Sequence, residues 1–72
     1  MAMDEIGIPV ERQKAIVNGN IASINDQIYD ATINRRVADI AKDDALKGRC
    51  DETLKMLLKK RDEFEKILKE IK

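Results

Sequence analysis

Over the last third of the chain, Cys50, Leu54, Leu57, Arg61, Phe64, Leu68 and Ile71 recur at alternating steps of four and three. On an α-helix this spacing forms the a/d seam of a coiled coil, which requires a second helix against it. No glycine or proline interrupts the pattern after Asp51, which is placed to cap the helix with Glu52 just inside it. A helix is therefore predicted over about 51–71. Asp51/Lys55, Lys59/Glu63, Asp62/Lys66 and Glu65/Lys69 lie four apart on its outer surface, each pair adding about 0.2–0.5 kcal/mol.

A first stripe precedes this one. Val10, Val17, Ile21, Ile24, Ile28 and Ala31 fall within roughly 80° of arc at about 100° per residue. Pro9 suits the start of a helix, and Glu11 complements the amide ends of its first turn. Asn18-Gly19-Asn20 is a competent break near position 19. The phase held by Val17, Ile21 and Ile24 favours instead a continuous helix with a weak point of about 1 kcal/mol relative to alanine.

Ile33, Val37, Ile40 and Ala41 form a further stripe directed roughly opposite the first, while Ala31, Ala38 and Ala45 continue the first face with small side chains. Lys47-Gly48-Arg49 offers a cationic last turn and a glycine stop, so the long helix is predicted over about 9–47. A link this short makes the two helices antiparallel. The expected fold is all-α: an antiparallel helical hairpin forming one domain over 9–72, after a mobile N-terminal lead over 1–8.

Folding back near Gly48 puts Ala38 against Leu57 and Leu58, and Ile28 near Leu68. Ile21, Ile24, Ile28, Ala38, Leu54, Leu57, Phe64, Leu68 and Ile71 then make the hairpin seam. The same register sets Arg61 beside Arg35, an unfavourable apposition unless the helices are offset, the side chains snorkel outward or a second chain supplies an acid; an intermolecular or water-exposed contact at Arg61 is expected. Ile33, Val37 and Ile40 remain uncovered, at about 1.5–3 kcal/mol of unrealised burial each. Leu58 and Ile67 widen the apolar side of the second helix, and the sum predicts a homodimer closing a four-helix bundle.

Composition narrows the chemistry. Seventy-two residues with one cysteine and no histidine can form neither an internal disulfide nor a Cys/His zinc site, so stability rests on packed helices and on partner chains. Fourteen basic and fourteen acidic residues cancel, and no global field steers the chain toward nucleic acid or an anionic membrane. Aliphatic runs extend no further than Met56-Leu57-Leu58, and Met1-Ala2-Met3-Asp4-Glu5 does not read as a basic, apolar signal, so a cytoplasmic protein is expected.

Without histidine, and with Ser23, Thr32 and Thr53 lacking an activating base at helical reach, no catalytic residue, metal site or cofactor is predicted. Asp26/Asp30 and Asp39/Asp43 are carboxylate pairs at helical spacing, but they lack an oxygen-rich calcium loop and are read as solvated or paired with Arg35, Arg36, Lys42 and Lys47. Cys50, at the head of the seam, is read as a small buried residue.

The stretch from Ile28-Tyr29 through Arg35-Arg36-Val37-Ala38, the acidic and glycine-bearing bend, and Leu57-Leu58-Lys59-Lys60-Arg61-Asp62-Glu63 resembles small helical-hairpin proteins of bacteriophages and prophages. The likeness covers roughly the last two thirds of the chain and implies an accessory or assembly role. The leading expectation is a non-enzymatic interaction protein that self-associates through Ile33, Val37 and Ile40. One alternative is a small regulator binding nucleic acid through Arg35, Arg36, Lys55, Lys59, Lys66 and Lys69, although Asp62 lies within that flank. Another is a helical inhibitor or chaperone docking its aliphatics into another protein.

Overall fold

A computed structural model describes residues 7–71 as two helices packed into an antiparallel hairpin. Helix α1 spans Val10–Ile40 and α2 spans Asp44–Glu70. The predicted lead over 1–8 falls largely outside the described residues. Its last residue, Ile8, is tied down, because Gln13 Nε2 donates to the Ile8 carbonyl at 2.6 Å. Pro9 stands at the N-cap with φ −56°, Glu11 lies in the first turn, and Gln13 N–H bonds the Pro9 carbonyl. Proline cannot donate to a preceding turn, which sets this boundary.

Gly19 does not break α1. Val17 and Ile24, on either side of it, are both buried against α2, and their packing outweighs the conformational freedom of one exposed glycine. A Cβ built at Gly19 meets nothing within 4 Å. Gly19→Ala is therefore expected to raise stability by about 0.5–1 kcal/mol, read as a higher midpoint in urea with an unchanged slope.

The link lies earlier than Lys47-Gly48-Arg49 suggests. It comprises Ala41, Lys42 and Asp43. Lys42 adopts the left-handed conformation, φ 59°; its amide bonds the Asp39 carbonyl at 3.1 Å and the Asp43 amide bonds the Ala38 carbonyl at 2.8 Å. Together these are the two backbone bonds of a Schellman stop, with lysine where glycine is usual. Asp43 then caps α2, accepting from the Leu46 amide at 3.1 Å. Asp51 is not the cap; it lies within α2, and its carboxylate receives Arg35. Gly48 is likewise helical, and the seam extends upstream through Cys50 to half-buried Lys47.

This shift resets the pairing of the helices. Asp39 meets Lys47, Arg35 meets Asp51 and Asn25 meets Arg61, each pair equidistant in sequence from Asp43. Ile28 thus lies level with the Leu57–Leu58 turn, not Leu68, and Ala38 lies level with the Lys47–Cys50 turn, not with Leu57 and Leu58. Arg35 and Arg61 do not face each other: Arg61 Nη1 donates to Asn25 Oδ1 at 2.8 Å. The observed register supplies both arginines with acceptors, whereas a link at Gly48 would appose two cations beside the seam.

The core is one seam. Val17, Ile24, Ala31 and Ala38 from α1, Cys50 and Leu57 from α2 and Ile71 just past its end are buried; Ile21, Ile28, Leu54, Phe64 and Leu68 are half-buried beside them. Alanines at 31 and 38 let the helices approach closely near the link. The result is a rod, 51 × 17 × 15 Å.

Candidate functional site

α2 turns its main apolar side to α1 and exposes Leu46, Met56 and Leu58 singly beyond it, whereas α1 carries apolar rows on two opposed sides. Its inner side meets α2. Its outer side, about 180° away at roughly 100° per residue, presents Tyr29, Ile33, Val37 and Ile40. These are 68%, 44%, 55% and 76% exposed, and on a helix their steps of four, four and three make them one continuous stripe. Ile33, Val37 and Ile40 are the residues singled out above for self-association. Tyr29 adds a fourth member whose place follows from the same spacing.

Charged residues border the stripe on α1: Asp26 and Asp30 near its N-terminal end, and Arg36 on the opposite flank between Ile33 and Ile40, all three exposed. Among the described residues the ion pairs are Arg35–Asp51, Lys47–Asp39 at 2.8 Å and Lys66–Asp62 at 3.3 Å. None of these three residues belongs to those pairs; among the described residues Asp30 accepts from Asn34, at 3.3 Å.

Asp39 shows how the charges near the link are used. A hydrogen bond from Lys47, and then its positive charge, hold the Asp39 carboxyl below its ordinary range, with smaller help from Arg35 and Arg36. A carboxyl depressed on folding stabilises the hairpin above its ordinary range, and that contribution disappears as pH falls through the depressed value. Solvent screens this exposed pair, so the effect on stability is small. Lys47→Met, which keeps the half-buried stem, is expected to move the Asp39 carboxyl up toward its ordinary range, measured by carboxyl-carbon NMR titration.

The other candidate chemistries are placed as follows. Lys55, Lys59, Lys66 and Lys69 are exposed on the side of α2 away from α1, with Asp62 among them and bonded to Lys66. Arg35 is engaged by Asp51, which removes it from the cationic flank; Arg36 lies beside Thr32, Asp39 and Ile40 around an open hollow of about 410 Å³. Cys50 is buried and carries a free thiol. It floors a second shallow groove, about 290 Å³, flanked by Gln27, Asp30, Asn34, Arg49 and Thr53. No cluster of three metal-ligating side chains occurs among the described residues.

Two features escaped the sequence reading. Gln13 is buried, and its Oε1 has no hydrogen-bond partner among the described residues. The signal for its burial was its place four residues before Val17. Asn25 is the acceptor for Arg61, which only the pairing of the helices reveals. Comparison with protein families, curated proteins and solved structures finds no match to this chain. No helix of the described residues is long and apolar enough to cross a membrane.

Proposed function

We propose that this chain is a non-enzymatic helical interaction protein whose working surface is the outer side of α1 and whose first activity is self-association. The observation that carries the reading is the exposed stripe of Tyr29, Ile33, Val37 and Ile40, opposite a seam that the hairpin already satisfies internally. Four large side chains held open in a row on a rigid helix form a docking surface that is costly to leave in water. An assembly role also agrees with the resemblance to hairpin proteins of bacteriophages and prophages. A buried, unpaired Cys50 fits a reducing compartment, and the cytoplasm is the proposed location.

The test is solution mass by multi-angle light scattering across a concentration series. A mass that rises with concentration toward two copies supports the reading. A well-folded chain that stays monomeric at the highest concentration overturns it.

A further inference from the structure

The two buried rows of the hairpin constrain whether it can open. We infer that the chain carries a phase lock: the rows of α1 and α2 are set out of step across the link, so the hairpin does not straighten into one long helix and exchange α2 with a second copy. The lock belongs to the chain's own fold and holds whether or not copies associate through the outer stripe.

The link taken alone favours opening. Ala41, Lys42 and Asp43 are its only residues, none is glycine or proline, and Lys42 is held at φ 59°. A side chain in the left-handed region is strained, and short strained hinges between packed elements invite exchange between copies. Straightening would return Lys42 to the right-handed form and join two helices that contain no internal proline. In an exchanged pair α1 of each copy lies on α2 of the other, and the contacts of the hairpin are made between chains.

Burial shows what opposes this. Val17, Ile24, Ala31 and Ala38 are buried at steps of seven along α1, and Cys50, Leu57 and half-buried Phe64 keep the same step along α2. Continued beyond Ala38, the α1 row would fall at Ala45 and then Glu52, both of which are exposed; the α2 row begins instead at Cys50, five residues after Ala45. A coiled coil absorbs an extra three or four residues by local over- or unwinding, and a skip of five is neither. On one continuous helix the two rows would face directions roughly 120–150° apart, taking 3.6 or 3.5 residues per turn.

A second helix lying antiparallel on a straightened chain stands on one side of it, so it covers one row and leaves the other in water. Half-buried Lys47 and Leu54, which flank Cys50 in the α2 row, would be continued at steps of seven by Ile40 and Ile33. Val17, Ile24 and Ala31 would then be turned away from the partner. The stop at Lys42 avoids this, because reversing the chain lets both rows point inward.

Resetting the phase tests the lock. Cys50 stands twelve residues after Ala38, so two alanines inserted between Lys42 and Asp43 make the interval two whole heptads and bring the rows into line. Four alanines lengthen the link further but leave the rows roughly 155° apart. Both insertions release the tight turn and both favour helix, so they differ chiefly in phase. On a Cys50→Ala background, spin labels at Asn18→Cys and Lys69→Cys, both exposed positions, report the distance within one chain when labelled chains are unfolded and refolded with an excess of unlabelled ones. Labels on level residues of adjacent helices lie within about 25 Å, and on one continuous helix they lie about 75–80 Å apart.

The natural chain and the four-alanine variant are expected to give the short distance at every concentration. The two-alanine variant is expected to gain the long distance as concentration rises, with a mass of two copies by light scattering. A long distance in the natural chain overturns the lock. So does a long distance in both variants, which would make strain and helix propensity decisive, or in neither. Both variants keep every seam residue, so loss of helical circular dichroism in either one also counts against it.

Discussion

Leu57→Ala is expected to cost about 2–4 kcal/mol, while Leu58→Ala, one residue away, costs less than about 1 kcal/mol. Leu57 sits in the centre of the seam with 5% of its surface exposed, and Leu58 retains 46%. In a two-helix rod there is no third layer to collapse into the space left by Leu57, so both the lost transfer energy and the cavity count. Domains of this size have only a few kcal/mol in reserve, and the Leu57 variant is expected to lose most of its helical circular dichroism at ambient temperature. Both variants are compared at matched protein concentration, since association adds to apparent stability. Equal losses at the two positions would mean that the helices pack in a different rotation.

Lys42→Gly and Gly48→Ala are expected each to stabilise the hairpin, by about 1 kcal/mol and about 0.5–1 kcal/mol respectively, and to add when combined. Lys42 holds a left-handed backbone that glycine adopts without the clash of a Cβ. Gly48 is helical with nothing within 4 Å of a built Cβ, so alanine there removes unfolded-state freedom at no steric cost. Thermal unfolding of the double variant is expected about 6–12 °C higher. The signs are diagnostic. A link at Gly48 would place Lys42 inside a helix, where glycine destabilises, and would make alanine at the left-handed stop costly. Two losses in place of two gains would therefore return the link to Gly48.

The misplaced link shows why local signals misled. Lys47-Gly48-Arg49 has the composition of a helix end, and nothing within a turn of it argues otherwise. The competing signal is Asp43, an N-cap followed by Asp44 in the first turn, together with a stop completed by a lysine in an unusual conformation. A left-handed lysine cannot be read from sequence, because its cost is met by contacts elsewhere: three inter-helix polar contacts, all in one register. Moving the link to Gly48 would forfeit them and bring Arg35 to Arg61. The continuity of α1 across Gly19 was legible for the opposite reason, since Val17 and Ile24 keep a phase that any break would destroy.

The surface stripe was legible in the same way. Ile33, Val37 and Ile40 stand half a turn from the inner seam by arithmetic alone, and Tyr29 extends them by one more step of four. Which charged groups near them are already engaged was not legible. Arg35 and Arg36 are neighbours in sequence, yet one is held by Asp51 on α2 and the other borders the stripe.

By itself, then, the chain's pattern of apolar positions determined two helices, their antiparallel sense and the two faces of α1, because helical periodicity is a local geometric property carried by every few residues. The tertiary structure decided where the chain turns, which residues stand opposite one another, and which charges remain available to a partner. Those depend on the summed energy of contacts between residues far apart in sequence, 36 positions in the case of Asn25 and Arg61, and no local window contains that sum.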